Sequence, residues 1–418
     1  MKKVFLFFIL SICLSKFSFS QNSLACDGER YIDDVFSNFT VSTVTYGSNT
    51  TIFGFSQDLE MDIYEPVGDV HEQRPVIIFA FGGSFIFGDK STMSYYCEQF
   101  AKKGYVAATI DYRTGFLGFG EEAVTGAVMR AVSDMKGAVR YFRQDEATDN
   151  NYKIHPDFIL VGGYSAGAIT ATHVAYLDEN DENIPSFTTD IINNNGGFEG
   201  NTGDTENLSY SSDVFAVYNL SGGLREKEWM DENETEALVS YHGTDDGTVP
   251  YFNGLANNIA ELDGSGLLHP QTDAIGLPNY LKTAEGGGHG DIHGPYITPS
   301  YEDALAEFEL ESHIFLQNQM CPDFQVSTNT FELATIQQAL DIYPNPSNDL
   351  MEFDFGKIES DYSVQISDQL GRVVTHFEKN NESVFYLEKS RIGKGMFFVN
   401  VLFEDERIAP LARKIVFN

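Results

Sequence analysis

The chain has 418 residues, 42% hydrophobic and 13% aromatic, enough for a large core and more than one ordinary domain. Its formal charge is −36, from 26 basic and 62 acidic residues. Such a surface argues against nucleic acid and anionic membranes as partners.

Residues 1–20 read as a secretory signal peptide. Met1-Lys-Lys precedes an apolar run from Val4 to Leu14, and Ser18-Phe-Ser20 before Gln21 offers a small-residue cleavage site. Removing Lys2, Lys3 and Lys16 takes the charge from −36 to −39. No later stretch approaches the apolar length of a spanning helix. Cys13 leaves with the signal, so Cys26, Cys97 and Cys321 remain, and an exported chain can pair two of them. A staple between Cys26 and Cys321 would tie the ends of the first domain, but all three pairings stay open. Spacings this wide carry no zinc signature.

Leu59 to Pro66 alternates as an edge strand should. Val76 to Ala80 reads as a buried strand running into Phe81-Gly82-Gly83-Ser84. Tyr95 to Lys103 reads as a helix, Gly104 to Arg113 as the next strand, and Gly126 to Arg143 as a long helix. In that helix Val128, Val132, Met135, Val139 and Phe142 recur at spacings of three and four. Phe158 to Val161 is again a buried strand, and it enters Gly163-Tyr-Ser165-Ala-Gly167 before a helix of small and apolar residues. A serine between two glycines, on a sharp strand-to-helix turn, is a candidate nucleophile. The acidic cluster Asp178 to Asn183 follows, without the spacing of a calcium loop. Asn193 to Asp213 reads as an irregular, solvated insertion rimming the site.

A serine hydroxyl needs a base to take its proton and a third group to orient that base. An apolar strand, Leu238 to Tyr241, ends at His242-Gly243, and a turn holding Asp245 and Asp246 follows. Either aspartate fits the orienting role. His242 reads as structural, bonded beneath the turn. Glycines on both sides of His289 let its ring swing over a serine, and His293 is the runner-up. His173 reads as a packed helix residue. Tyr112, Arg113, Phe116 and Phe119 are candidates for a substrate pocket, with core packing an equal account of the aromatics. Tyr301 to Gln317 reads as a final helix.

From about Tyr46 to Cys321 this order of signals resembles an α/β-hydrolase, closest to the bacterial carboxylesterases. The expected fold is therefore a mostly parallel sheet with helices on both faces. The resemblance selects Asp246 over Asp245 through its H-G-x-x-D-x-x-V-P segment, and His289 through its G-x-G-H loop. Phe81 to Ser84 resembles the H-G-G-G oxyanion loop, with Phe81 for the histidine and Ser84 for the last glycine. It implies Ser165, Asp246 and His289 as the triad, and the N–H groups of Gly82, Gly83 and Ala166 as oxyanion donors. Losing the histidine removes a brace but no donor. The resemblance calls for no cofactor and no metal.

After a polar linker, 322–340, residues 341–418 show short alternating runs separated by turns, the pattern of a small β-sandwich. Tyr343-Pro-Asn-Pro346, Asp368 to Arg372, Gly395-Met-Phe-Phe-Val399 and Lys414-Ile-Val416 resemble the C-terminal sorting domain of type IX secretion in Bacteroidetes. By that resemblance the tail is an export address read by outer-membrane machinery. The expected organisation is a signal at 1–20, a catalytic domain at 21–321, the linker, and the sorting domain. The expected function is a secreted carboxylic-ester hydrolase working through an acyl-enzyme, with esters of external polysaccharides one substrate suggested by location. A serine peptidase of the same fold would need an N-terminal gating domain that Gln21 to Tyr46 cannot supply. A non-catalytic adhesion protein is the other alternative.

Overall fold

The computed structural model describes residues 24–202, 207–294, 297–322, 340–355, 361–368, 372–379, 382–403 and 411–418. The expected signal peptide, most of the linker and Gly371 of the tail lie outside them. The described residues fall into two compact units, one up to residue 322 and one from residue 340.

The first unit contains β1 (Phe39–Thr50), β2 (Ser56–Pro66), β3 (Arg74–Ala80), β4 (Val106–Ile110), β5 (Ile154–Tyr164), β6 (Ala216–Leu220), β7 (Gly223–Leu224), β8 (Ala237–Gly243), β9 (Asn253–Ala256), β10 (Ala260–Gly264) and β11 (Asn279–Ala284). Its helices are α1 (Ser94–Lys102), α2 (Glu121–Ala147), α3 (Ala166–Tyr176), α4 (Ser186–Asn194), α5 (Ser265–Ile275) and α6 (Glu302–Met320). Eight strands form one sheet in the order β1-β2-β4-β3-β5-β6-β8-β11. β1 and β2 run antiparallel to their neighbours, and β4 to β11 are parallel. β3, β4, β6 and β8 are buried at every residue. This is why they read as unbroken apolar runs: helices cover both faces of a parallel sheet. The arrangement agrees with the α/β-hydrolase expectation.

Two expectations change. Leu59 to Pro66 is not at the edge, because β1 pairs outside β2 along its whole length. β1 is mostly exposed, so its threonines and valines gave too weak an alternation to read as a strand. The described part of Asn193 to Asp213 does not rim the site but is clamped onto α2. Arg140 donates to the carbonyls of Glu199 and Thr202, and Lys136 to that of Phe198. The Thr202 hydroxyl donates to Asp134 at 2.6 Å, and Asp134 pairs with buried Arg113 at 2.7 Å. Buried charges need such partners, so these contacts fix the loop.

Cys26 and Cys321 form a disulfide, with Cα atoms 5.8 Å apart across 295 positions, and Cys97 is free and buried. One of the three open pairings is thereby realised, and it ties the two ends of this unit together.

The second unit has β12 (Asp341–Tyr343), β13 (Leu350–Asp354), β14 (Tyr362–Ser367), β15 (Val373–Lys379), β16 (Val384–Glu388), β17 (Gly395–Phe403) and β18 (Leu411–Phe417). They form two antiparallel sheets, β12-β13-β16 and β15-β14-β17-β18. Phe353 and Phe385 from one sheet share a core with Val364 and Val399 from the other, which makes a β-sandwich.

Candidate active site

Parallel strands deliver their carboxyl ends to one edge of the sheet, where α/β proteins bind ligands. The loops after β3, β5, β8 and β11 meet there. Ser165 follows β5 and takes φ 54° and ψ −118° at the start of α3. Only a crowded turn holds a serine in that conformation. A Cβ on Gly167 would stand 2.0 Å from the Ala80 carbonyl oxygen, and one on Gly163 would stand 2.4 Å from the Gly167 carbonyl carbon. Both glycines of the motif are thus sterically required.

His289 lies in the loop after β11. Its Nε2 is 2.8 Å from Ser165 Oγ, and its Nδ1 is 2.7 Å from Asp246 Oδ2. The other Asp246 oxygen, Oδ1, accepts the N–H groups of Thr248 and Val249 at 2.8 and 2.9 Å. Burial alone would raise the Asp246 pKa, but hydrogen bonds from His242 and His289, with their charges, outweigh it. The carboxyl is held well below the usual carboxylate range. Asp245 is exposed, and its N–H donates to the Gly287 carbonyl, so its contribution is to the loop backbone.

His242 sits beneath the turn, with Nδ1 3.0 Å from Ser265 Oγ and Nε2 3.1 Å from the Val249 carbonyl. Its Nε2 is also 3.3 Å from Asp246 Oδ2, a contact that the reading of a local structural ring did not anticipate. His293 does not reach Ser165. Its Nε2 is 2.7 Å from Ser221 Oγ, and burial beside His289 and His242 pushes its pKa well down.

Gly82 and Gly83 follow β3, beside Ser165. A Cβ on Gly82 would stand 3.1 Å from Ser165 Cβ, and Gly83 has φ +133°, so a side chain is excluded at both. Among the described residues neither N–H finds an acceptor. Ala166 opens α3, where the first N–H groups of a helix have no partner within it. Phe81 stacks on Tyr112 with ring centres 4.2 Å apart, and the Tyr112 hydroxyl donates to the Phe81 carbonyl at 2.8 Å. These contacts hold Phe81 at the position where the resembled loop carries a histidine. Tyr164 adds another contact: its hydroxyl donates to the His289 carbonyl at 2.9 Å, and its ring stacks on the imidazole at 5.1 Å.

Ser165 opens onto two cavities. One, of about 270 Å³, is lined largely by apolar side chains, including Phe85, Phe116, Val128, Met129, Ile169 and Trp229. His173 also lines it, bonded through Nδ1 to the Ile169 carbonyl at 2.7 Å. The other, of about 330 Å³, is lined by Thr92, Met93, Tyr96, Tyr164, His289 and His293, among others. Of the four pocket candidates only Phe116 lines either cavity. Tyr112 bonds to the Phe81 carbonyl instead, Arg113 pairs with Asp134, and Phe119 is fully exposed. The hairpin β9–β10 walls the first cavity. It turns at Asn257 and Asn258, both at positive φ, and the Asn257 side chain donates to Ser84 Oγ at 3.0 Å. Among the described residues no three histidine, cysteine or carboxylate side chains converge as metal ligands.

Comparison with known proteins bears on both units. Residues 61–240 match the BD-FAE family, and residues 341–418 match the secretion system C-terminal sorting domain. Gut esterase 1 of Caenorhabditis briggsae is 28% identical over 119 residues, 28% of this chain and 20% of that protein. Fumonisin B1 esterase of Sphingopyxis macrogoltabida is 31% identical over 147 residues, 34% of this chain and 26% of that protein. The chain therefore spans a minor part of the curated relatives it matches. A propionate-bound esterase from Thermogutta terrifontis superposes with a TM-score of 0.48 at 20% identity, over 69% of this chain and 96% of that one. Residues 61–240 are thus similar to the BD-FAE family, on a sheet of α/β-hydrolase order, and residues 341–418 to a secretion system C-terminal sorting domain, which indicates export.

Proposed function

We propose that the protein is a secreted serine carboxylic-ester hydrolase working through an acyl-enzyme. The observation that carries this reading is the unbroken line Asp246–His289–Ser165, with links of 2.7 and 2.8 Å. Ser165 Oγ attacks the ester carbonyl carbon while its proton passes to His289 Nε2. Asp246 holds the proton on Nδ1 and stabilises the imidazolium. The negative oxygen of the tetrahedral intermediate is met by the N–H groups of Gly82, Gly83 and Ala166. His289 then gives its proton to the leaving alcohol oxygen as the carbon–oxygen bond breaks. Water repeats the sequence on the acyl-enzyme and releases the acid and free Ser165.

Proton delivery assigns the cavities. The leaving oxygen must come within hydrogen-bond reach of His289 Nε2, so the alcohol belongs in the cavity that His289 lines. The acyl group then takes the other, of about 270 Å³. An apolar acyl group suits these walls. For a polysaccharide-linked ester, the export address is the whole support. In export itself, residues 341–418 would engage the type IX secretion machinery.

The test is hydrolysis of p-nitrophenyl esters from acetate to palmitate by the mature chain and by Ser165→Ala. Turnover abolished by Ser165→Ala, with one fluorophosphonate adduct per wild-type chain and none on the variant, is the expected result. A wild type inert towards every ester would sink the reading.

A further inference from the structure

Three loops are joined to one another, and two of them reach the cavities beside Ser165 at Phe85, Phe87 and Phe116. The Gly115 N–H donates to the Phe85 carbonyl at 2.5 Å, which ties the segment after β4 to the oxyanion loop. Ile52, in the β1–β2 turn, packs against Gly115, where an added Cβ would stand 3.1 Å from its Cδ1. Arg113 Nη1 also donates to the Thr50 carbonyl at 3.0 Å. These loops are Thr51-Ile-Phe-Gly-Phe-Ser56, Phe81-Gly-Gly-Ser-Phe-Ile-Phe-Gly88 and Thr114-Gly-Phe-Leu-Gly-Phe-Gly120. Within these bounds none contains Asp, Glu, Lys or Arg, in a chain that is 21% charged, and charges at their ends include Asp89, Glu121 and Glu122. All three leave large apolar side chains in water: Phe53 and Phe55; Ile86 and Phe87; Leu117 and Phe119. Phe87 is 67% exposed and yet lines both cavities. Phe119 is wholly exposed, so no packing within the chain accounts for it.

We propose that this uncharged collar seats the active site on an uncharged, water-insoluble ester phase, and that such esters are the substrate class. A contiguous apolar surface on a soluble chain marks a docking site. The occupant follows from charge and continuity. A chain of −36 is repelled by anionic surfaces, and apolar side chains without a charge among them suit a neutral phase. At Ile86, Phe87 and Phe116 the collar's loops also line the cavity of about 270 Å³, whose walls are largely apolar, so a molecule leaving that phase enters by apolar side chains. The proposal rests on the ester-hydrolase reading and narrows it.

The experiment uses the mature chain, Leu117→Ser/Phe119→Ser and Phe53→Ser/Phe55→Ser, none of which lines either cavity beside Ser165. Each is assayed on dissolved p-nitrophenyl acetate and on tributyrin below and above its solubility limit. The same collar pairs are built into Ser165→Ala and floated with tributyrin droplets, which reads docking without turnover. Wild type is expected to rise steeply as droplets form. The variants should keep the acetate rate within about twofold and lose about fivefold or more on the emulsion, with matching loss of flotation. Equal emulsion rates and equal flotation would overturn the proposal. So would a wild-type dimer that the collar variants dissociate, since the collar would then cover a second copy. Inertness towards acetate would instead strike the ester-hydrolase reading, while flotation of the Ser165→Ala chains still decides the collar.

Discussion

Asp246→Asn tests the triad through the proton on His289. Asp246 Oδ1 accepts two backbone N–H groups, from Thr248 and Val249. An amide nitrogen there would set donor against donor, so the Asn oxygen must keep that position. The NH₂ then faces His289 Nδ1, 2.7 Å away in the parent. Nδ1 becomes an acceptor and the proton moves to Nε2, where it blocks removal of the Ser165 proton. A wrong tautomer in a serine triad costs about 10⁴-fold in kcat, roughly 5 kcal/mol of transition-state stabilisation, with little change in binding. Asp245→Asn, at an exposed side chain, should stay within about twofold. The assay is kcat and KM on p-nitrophenyl butyrate at neutral pH for both variants. A kcat within tenfold of wild type for Asp246→Asn, or an equal loss for Asp245→Asn, would refute the assignment. Stability supplies a second readout. The folded Asp246 pKa lies below its unfolded value, so its contribution is complete above about pH 4 and is lost as pH falls through the folded value. The difference in urea midpoint between wild type and Asp246→Asn should therefore shift on acidification below about pH 4 and stay constant above it.

Three further outcomes are expected. Tyr112→Phe keeps the stack on Phe81 but strips the hydrogen bond from the buried Phe81 carbonyl; kcat should fall about fivefold to tenfold with KM nearly fixed, and an unchanged kcat would mean the oxyanion loop needs no brace. Replacing Cys26 and Cys321 by alanine frees a 295-residue separation and should cost about 2–4 kcal/mol by denaturant titration, whereas reducing agent should leave the double variant unmoved. His173 is buried, and desolvation lowers its pKa to about 4, so the unfolded chain binds the extra proton between about pH 6.5 and 4. Wild type should lose Tm relative to His173→Leu as pH falls through that window, and parallel Tm curves would show that His173 does not stay neutral.

The residues of the proposed triad were legible because each sits in a short local pattern. An apolar strand ends, glycines clear the turn, and one polar side chain is left at the sheet's carboxyl edge. Gly163 and Gly167 belong to the same few residues as Ser165, so their steric role could be read beside it. The choice between His289 and His293 was not local. Both have a glycine neighbour, and what separates them is Ser221, which accepts or donates at His293 from 72 positions away. Tyr112 escaped for the same reason: its bond to the Phe81 carbonyl spans 31 positions and leaves no trace in the spacing of either segment. The β9–β10 hairpin is a different case. Asn257-Asn258 between two short runs was a turn signal, since asparagine tolerates positive φ better than other residues with a side chain. It passed unread because Leu255 and Phe252 stay exposed, so the flanking runs lack the alternation that burial on one face produces. The uncharged collar was visible as composition in three separate segments. Its meaning depends on their meeting, through Gly115, Phe85 and Ile52.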